Sequence, residues 1–234
     1  GRAPKVGIIV RKQGSCQPLS HYLANMSEKK VILVLGAGRS SSSLISHLLV
    51  QAEKESWEIH VGDLNLEAAQ SKVGDHHHGT AFQLAADEVD DRNARIRRAD
   101  LVISMLPAFM HVEVAKVAIA SRVNVITPSY VSPEMQALDG EAQKAGILVL
   151  NELGLDPGID HMSAMQVIDE IRAMGGRILG FQSYCGGLVA PDSDDNPWHY
   201  KLSWNPRNVV LAGQGGTATF LDQGRVRVIP PHRT

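Results

Sequence analysis

The most concentrated set of chemically useful side chains lies in one short stretch, residues 154–161. Its eight residues include two glycines, a proline, two carboxylates and a histidine. A plain connection between two elements needs only one turn signal, so this crowding favours chemistry. Carboxylates and imidazoles transfer protons near neutral pH. Asp156, Asp160 and His161 are therefore the first acid–base candidates.

Structural roles compete with the catalytic ones in this stretch. Asp160 falls in the first turn of a predicted helix, where a carboxylate commonly caps the helix, and we expect a structural role for it. His161 suits an acid–base role and a capping role about equally. Asp156 precedes Pro157, which holds residue 156 extended and can aim its carboxylate into a crevice. Asp156 is the stronger catalytic candidate.

A second dense stretch, residues 183–191, contains the only cysteine in this part of the chain. Cys185 ends a predicted strand and precedes Gly186 and Gly187, which would let its thiol face the same crevice. A single buried cysteine is usually a small apolar filler. The neighbouring glycines are what favour a functional role.

A glycine-rich loop, residues 36–41, follows the first predicted strand and opens the first predicted helix. Gly36 permits a tight turn, and Gly38 lets the backbone approach a pyrophosphate at the positive end of the helix. Ser41 replaces the usual third glycine and is small enough to keep helix and strand close. The placement favours a dinucleotide site over a plain tight turn.

Two more polar residues end predicted strands. Asp63 lies 27 positions after Gly36. A carboxylate there accepts hydrogen bonds from the ribose and repels a 2′-phosphate, which favours NAD over NADP, although it also suits the start of the next helix. Ser104 ends the fourth strand, beneath the expected nicotinamide position, but taken alone a strand terminated by Pro107 is the better explanation.

Strands and helices alternate along the chain up to residue 150. Apolar runs predict strands at 31–35, 58–62, 80–84, 101–105, 123–126 and 147–150. Helical spacing predicts helices at 40–53, 64–73, 87–98, 111–120 and 133–145. This order predicts an α/β fold with a doubly wound parallel sheet of the Rossmann type.

The pattern changes after residue 150. Residues 158–174 predict a helix and residues 177–184 a strand, and glycine and proline become frequent. We therefore predict an extension or upstream tail (1–27), a dinucleotide-binding domain (28–150) and a partial α+β substrate-binding domain (151–234). We also expect the chain to be a fragment of a longer protein.

Composition narrows the possible partners. The chain is 44% hydrophobic and 21% charged, with a formal net charge of -2. Near-neutral charge argues against nucleic-acid binding, and the apolar runs are too short to span a bilayer. Two cysteines in unrelated contexts predict no disulfide framework and a cytoplasmic setting. The histidines at 76–78 lack other ligands at useful spacing, so we predict a solvated loop and no metal site.

The two dense stretches also carry a family resemblance. Residues 151–161 resemble the signature of glutamate-forming saccharopine dehydrogenases, also called saccharopine reductases. Residues 183–191 resemble their second signature, with Val189 where proline is usual. The resemblance runs from about Lys30 to Gly213. It implies NAD(P)-dependent oxidation of saccharopine to L-glutamate and 2-aminoadipate 6-semialdehyde, or the reverse imine reduction, in lysine metabolism. A homodimer is possible.

The resemblance assigns roles by position. It implies a cofactor-binding set of Gly36, Ala37, Gly38, Arg39, Ser40, Asp63, Ser104, Leu106, Leu155 and Pro157. The implied substrate-binding residues are Ser129, Tyr130 and Asp156. The implied catalytic residues are Asp156, Tyr130 and Cys185. No single one need be indispensable, because the substrate amine can start neutral and water can relay protons.

Departures from the family leave alternatives open. Pro128 replaces a small polar residue, Ala85 and Ala86 stand where an Asp is frequent, and the family's carboxylate-binding arginine falls beyond residue 234. Related amine reductases, such as a carboxyspermidine-type dehydrogenase or lysine 6-dehydrogenase, are the enzyme alternative. A non-catalytic dinucleotide-binding module is the alternative of another class.

Overall fold

In the computed structural model of the protein, the described residues are 29–84, 89–184, 189–201 and 216–230. The chain divides into two compact units, residues 1–185 and 186–234. Over the described ranges, no helix is long and apolar enough to cross a membrane.

The first unit is built on a six-stranded parallel sheet. Its strands are β1 (Lys30–Leu35), β2 (Trp57–Asp63), β3 (Gly79–Gln83), β4 (Leu101–Ser104), β5 (Asn124–Ile126) and β6 (Val149–Leu150). The order across the sheet is β3-β2-β1-β4-β5-β6, and every neighbouring pair is parallel. The predicted doubly wound fold is confirmed. Because the order reverses between β1 and β4, a crevice opens at the carboxyl ends of these two strands.

Seven α-helices surround and follow the sheet in the described ranges. They are α1 (Ser42–Glu55), α2 (Leu66–Val73), α3 (Val89–Arg98), α4 (His111–Ser121), α5 (Pro133–Ala137), α6 (Asp139–Ala145) and α7 (Ile159–Ala173). The single helix predicted over 133–145 is wrong, since it is divided at Leu138. The Leu138 N–H bonds to Met135 O, three residues back, which interrupts the α-helical ladder where this leucine is buried.

The core lies on both faces of the sheet. Leu33 and Leu35 of β1 pack into one buried cluster, and Ile32 and Val34 pack into the other. Alternate side chains of a strand point to opposite faces, so the continuous apolar run predicted for this strand fills both clusters. Each such side chain contributes about 1.5–3 kcal/mol by its burial. The result is a rigid edge of strand ends on which loops can be fixed.

The strand predicted over residues 177–184 is wrong. These residues have no strand conformation, and Leu179, Phe181 and Tyr184 are exposed. A lone extended segment is not a stable strand, because its backbone groups need a neighbour to complete the hydrogen-bonded ladder. No strand in the described ranges pairs with it.

The second unit contains an antiparallel hairpin of β7 (Ala218–Asp222) and β8 (Arg225–Ile229). The two connecting residues, Gln223 and Gly224, both have positive φ, 49° and 78°. That combination is the signature of a tight turn whose twist suits a hairpin.

Candidate functional site

The glycine-rich loop follows β1, and its first glycine is required by the space around it. Gly36 has φ +106°, a region that favours glycine. A Cβ at this position would lie 2.8 Å from Met105 O, just beyond the end of β4. The Gly36 N–H donates to Gly62 O at 2.7 Å, which ties the turn to β2. A side chain at residue 36 would therefore push the loop off the sheet.

The second glycine of the loop faces open space. A Cβ at Gly38 would meet no atom within 4 Å, and Gly38, Arg39 and Ser40 are exposed. Ser41 is fully buried, and its hydroxyl donates to Gly38 O at 2.8 Å. A 3-10 turn over Arg39–Ser41 leads directly into α1. Backbone N–H groups at a helix start favour a bound anion such as a pyrophosphate.

Asp63 at the end of β2 is connected to the same loop. Its carboxylate accepts a hydrogen bond from Ala37 N at 2.5 Å and another from Asn65 N at 2.9 Å. The cap of α2 is Asn65, whose side chain accepts from Ala68 N, so Asp63 does not start the helix itself. This leaves the Asp63 carboxylate beside the glycine-rich loop, at the position where an adenosine ribose is bound in this fold.

Lys72 was not singled out from the sequence, yet it contacts the glycine-rich loop. It lies in the last turn of α2, and its ammonium donates to Gly38 O and, at 3.1 Å, to Ser41 Oγ. Burial lowers the pKa of Lys72, and the neighbouring Asp63 charge opposes that shift. No spacing rule connects the end of one helix to a distant loop, so only the fold could reveal this contact.

A buried imidazole collects hydroxyls from the ends of β4 and β5. His111 opens α4 and is 3% exposed, and Ser104 and Thr127 are fully buried. His111 Nδ1 lies 2.8 Å from Ser104 Oγ, while its Nε2 lies 2.8 Å from Ser129 Oγ and 3.1 Å from Thr127 Oγ1. We call these four residues the His111 hub. The hydroxyl of Ser104, expected at the cofactor, is directed into this hub.

Sequence reasoning missed His111 itself. The sequence held one signal: hydroxyl residues lie at or just after the ends of the fourth and fifth predicted strands, and a histidine begins the helix between them. Burial lowers the pKa of His111 from 6.5 to about 4. The imidazole is therefore neutral at physiological pH, with one N–H donor and one accepting nitrogen.

Two predicted catalytic residues contact each other. The Tyr130 hydroxyl donates to Asp156 Oδ1 at 3.2 Å, and both residues are exposed. Burial raises the pKa of Tyr130, and the Asp156 charge raises it further. The phenol thus stays protonated as a donor, and the carboxylate is the accepting member of the pair.

Main-chain hydrogen bonds fix the loop that carries Asp156. Glu152 N donates to Ser129 O at 3.0 Å, and Leu153 N donates to Thr127 O at 3.2 Å. The Asp156–Pro157 peptide bond is cis. Gly158 has φ +150°, and a Cβ there would lie 2.2 Å from the backbone oxygen of Gly154. The crowded composition of this stretch is explained in part by its tight backbone course.

The remaining predicted residues have distinct positions. Asp160 accepts from Gly158 N at 2.9 Å at the start of α7, the structural role expected for it. Some desolvation opposes the effect, but backbone hydrogen bonds from Gly158 and His161 hold the pKa of Asp160 below its usual value. Leu155 is exposed and Pro157 is buried. Leu106 packs against one core cluster, and Cys185 lies outside the described residues.

These features together fit a nicotinamide dinucleotide. The open space at Gly38, the helix start behind it and the Asp63 carboxylate suit a pyrophosphate and a ribose. Across the crevice, the loops after β5 and β6 bring Ser129, Tyr130 and Asp156 together. Hydroxyl and carboxylate groups of this kind can bind an amine-bearing substrate and accept its proton.

Two family models match the chain. Residues 32–150 match the model described as the saccharopine dehydrogenase NADP binding domain, and residues 154–234 match the saccharopine dehydrogenase C-terminal domain.

Individual relatives carry related descriptions. Saccharopine dehydrogenase (NADP(+), L-glutamate-forming) of Pyricularia oryzae is 42% identical over 197 residues, which cover 84% of this chain and 43% of that protein. The mitochondrial alpha-aminoadipic semialdehyde synthase of Bos taurus is 40% identical over 203 residues, 86% of this chain and 21% of that protein. The solved apo saccharopine dehydrogenase (L-Glu forming) from Saccharomyces cerevisiae matches with a TM-score of 0.74 and 36% identity, covering 87% of this chain and 45% of that one. The chain spans less than half the length of these relatives.

Proposed function

Because the chain belongs to the saccharopine dehydrogenase family, we propose that it takes part in the NAD(P)-dependent oxidation of saccharopine to L-glutamate and 2-aminoadipate 6-semialdehyde. The observation that carries this proposal is the contact of Tyr130 with Asp156 at the carboxyl edge of the sheet. It supplies a polar pair beside a dinucleotide cradle, where a secondary amine can be held and deprotonated.

The proposed reaction divides into hydride transfer and hydrolysis. The nicotinamide, when bound, accepts the hydride from the carbon next to the substrate nitrogen. The amine must first have lost its proton, so that its lone pair can form the C=N bond of an imine. Water then adds to that carbon, and cleavage of the C–N bond releases glutamate and the semialdehyde. In the reverse direction the same imine is reduced to saccharopine.

The residues of this chain have proposed roles in the proton movements. Asp156 is the exposed accepting group and would take the amine proton directly or through water. Tyr130 donates to Asp156 and would hold that carboxylate in place, since the raised pKa of its phenol disfavours proton loss. Ser129 would bind a substrate carboxylate by its hydroxyl. Cys185 stays a predicted catalytic residue.

For the cofactor, we propose that NAD is preferred over NADP. The Asp63 carboxylate lies against the glycine-rich loop, within 2.5 Å of Ala37 N. A negative charge at this place favours ribose hydroxyls and repels a 2′-phosphate. The Pyricularia oryzae relative is named as an NADP(+) enzyme, so the test compares the two cofactors directly.

The test is whether added saccharopine increases the absorbance of the reduced nicotinamide. NAD⁺ and NADP⁺ are used in separate assays. It is measured on this chain and on any longer polypeptide that contains it. We expect turnover favouring NAD⁺, and we expect D156N to lower kcat at least tenfold while NADH binding is unchanged. If neither cofactor supports turnover, the saccharopine assignment is wrong. If D156N is fully active, Asp156 is not the proton acceptor.

Location and assembly stay predictions. We propose a cytoplasmic location and a homodimer, whereas the bovine relative is named as mitochondrial. Cell fractionation and a sedimentation measurement would test the two predictions.

A further inference from the structure

The four members of the His111 hub lie on separate parts of the fold. Ser104 ends β4, Thr127 and Ser129 follow β5, and His111 opens α4. Ser104, Thr127 and His111 are buried, whereas Ser129 is partly exposed. Ser129 is therefore the one member of the hub that a ligand can reach, and its hydroxyl is 2.8 Å from His111 Nε2.

The number of protons in the hub limits how it can be arranged. A neutral imidazole has a single N–H, so one ring nitrogen donates and the other accepts. Each hydroxyl has one proton to donate. In one arrangement Ser129 donates to Nε2 and Nδ1–H donates to Ser104. In the other, Ser104 donates to Nδ1 and Nε2–H donates to Ser129.

In the first arrangement Nε2 can accept from Thr127 instead, but Ser129 then loses its bond to His111 when it binds an anionic ligand. Only the second arrangement lets Ser129 keep that bond while it binds the ligand. If the Ser129 proton is donated to a carboxylate oxygen, Ser129 Oγ can only accept from His111, which requires the proton on Nε2. Ser104 must then donate to Nδ1, because no proton remains on that nitrogen. The direction of donation is thus set along the whole line Ser104–His111–Ser129.

We propose that His111 is a positioning residue for a carboxylate-bearing substrate, acting through Ser129. Ligand binding selects the Nε2–H form of the neutral imidazole and directs the Ser129 proton at the substrate carboxylate. The same line of hydrogen bonds joins the substrate side of the crevice to Ser104 at the end of β4. The proposal rests on the proposed function, since saccharopine supplies the carboxylate.

Two substitutions of similar size distinguish the role of His111 Nε2 from that of Nδ1. H111Q can place an amide N–H near the position of Nε2 and so keep a donor to Ser129. H111N is shorter and can replace only the contact that Nδ1 makes with Ser104. We expect H111N to raise KM for saccharopine about ten- to hundredfold, the effect of losing one charge-assisted hydrogen bond. H111Q should recover most of this loss, and kcat should change much less than KM.

A double-mutant cycle tests the route through Ser129. S129A should raise KM as much as H111N, and S129A/H111N should raise it no further, because both changes remove one interaction. Equal KM effects of H111Q and H111N, or additive effects in the cycle, would overturn the proposal. A loss of folding in H111N alone would appear as a lower thermal midpoint without a specific rise in KM.

Nitrogen NMR of the wild-type imidazole supplies a second measurement. Saturating saccharopine should shift the His111 resonances to those of the Nε2–H form, and a bound state with the proton on Nδ1 would overturn the proposal. Turnover by the wild type tests the proposed function separately from the variants. If the wild type neither binds nor oxidises saccharopine, both proposals are wrong.

Discussion

Gly36 and Gly38 stand two positions apart, and a methyl group added to each would meet different surroundings. At Gly36 the positive φ and the approach of Met105 O predict that G36A loses roughly 1–3 kcal/mol of stability together with cofactor affinity. At Gly38 nothing lies within 4 Å of the added carbon. G38A should therefore keep its thermal midpoint and lose NADH affinity, because the methyl group occupies the space of the pyrophosphate. If G38A binds NADH with unchanged affinity, the glycine-rich loop is not part of the cofactor site.

His111 also predicts a pH dependence of folding. The unfolded chain takes up a proton on this residue as pH falls through 6.5, whereas the folded protein resists until about pH 4. The unfolded state binds more protons between these values, so stability falls as pH falls. The contribution is about 2 kcal/mol between pH 7 and pH 5. Denaturant unfolding at pH 7 and pH 5 measures the difference in the free energy of unfolding, which should be smaller for H111Q than for the wild type. Equal differences in the two proteins would contradict the prediction.

At the scale of elements, α2 is connected to the glycine-rich loop by a single cation. We expect K72M to weaken NADH and NADPH binding alike, about tenfold, because the loop loses the ammonium that joins Gly38 O and Ser41 Oγ to α2. K72R should recover part of the affinity. K116M is the matched control, since Lys116 pairs with Glu113 on the exposed face of α4. Loss of NADPH affinity alone would mean that Lys72 instead binds a 2′-phosphate. Fluorescence titration measures both cofactors.

The elements also show what the sequence could predict. A continuous apolar run predicted β1, because burial on both faces leaves a local mark, and the other five parallel strands also lie where the alternation of elements predicted them. Alternation over residues 177–184 predicted a strand that is not formed, because a strand also depends on a neighbour elsewhere in the chain. The interruption at Leu138 directly precedes Asp139 and Gly140, a dipeptide that commonly marks turns, and the prediction from helical spacing did not weigh it. The contacts of Lys72 and His111 join residues that are far apart in the sequence, so no local pattern predicted them.

At the scale of the whole molecule, the order of the strands explains why the predicted site residues converge. Those in the described ranges lie at or after the carboxyl ends of five strands, β1, β2, β4, β5 and β6, and these ends lie along one edge of one sheet. The family resemblance stated from residues 151–161 and 183–191 is confirmed by the matched models. Composition alone would have indicated only a globular protein of ordinary charge and hydrophobicity. The candidate site was predicted because the motifs lie at the carboxyl ends of the predicted strands.

The hydrogen bonds between the loops after β5 and β6 have an evolutionary consequence. They join main-chain atoms, Glu152 N to Ser129 O and Leu153 N to Thr127 O. Any residue except proline can supply such an N–H, so the exposed side chains of Leu153 and Leu155 can diverge without moving Asp156 relative to Ser129. The relative position of these two loops can therefore be inherited unchanged while the exposed side chains beside them vary.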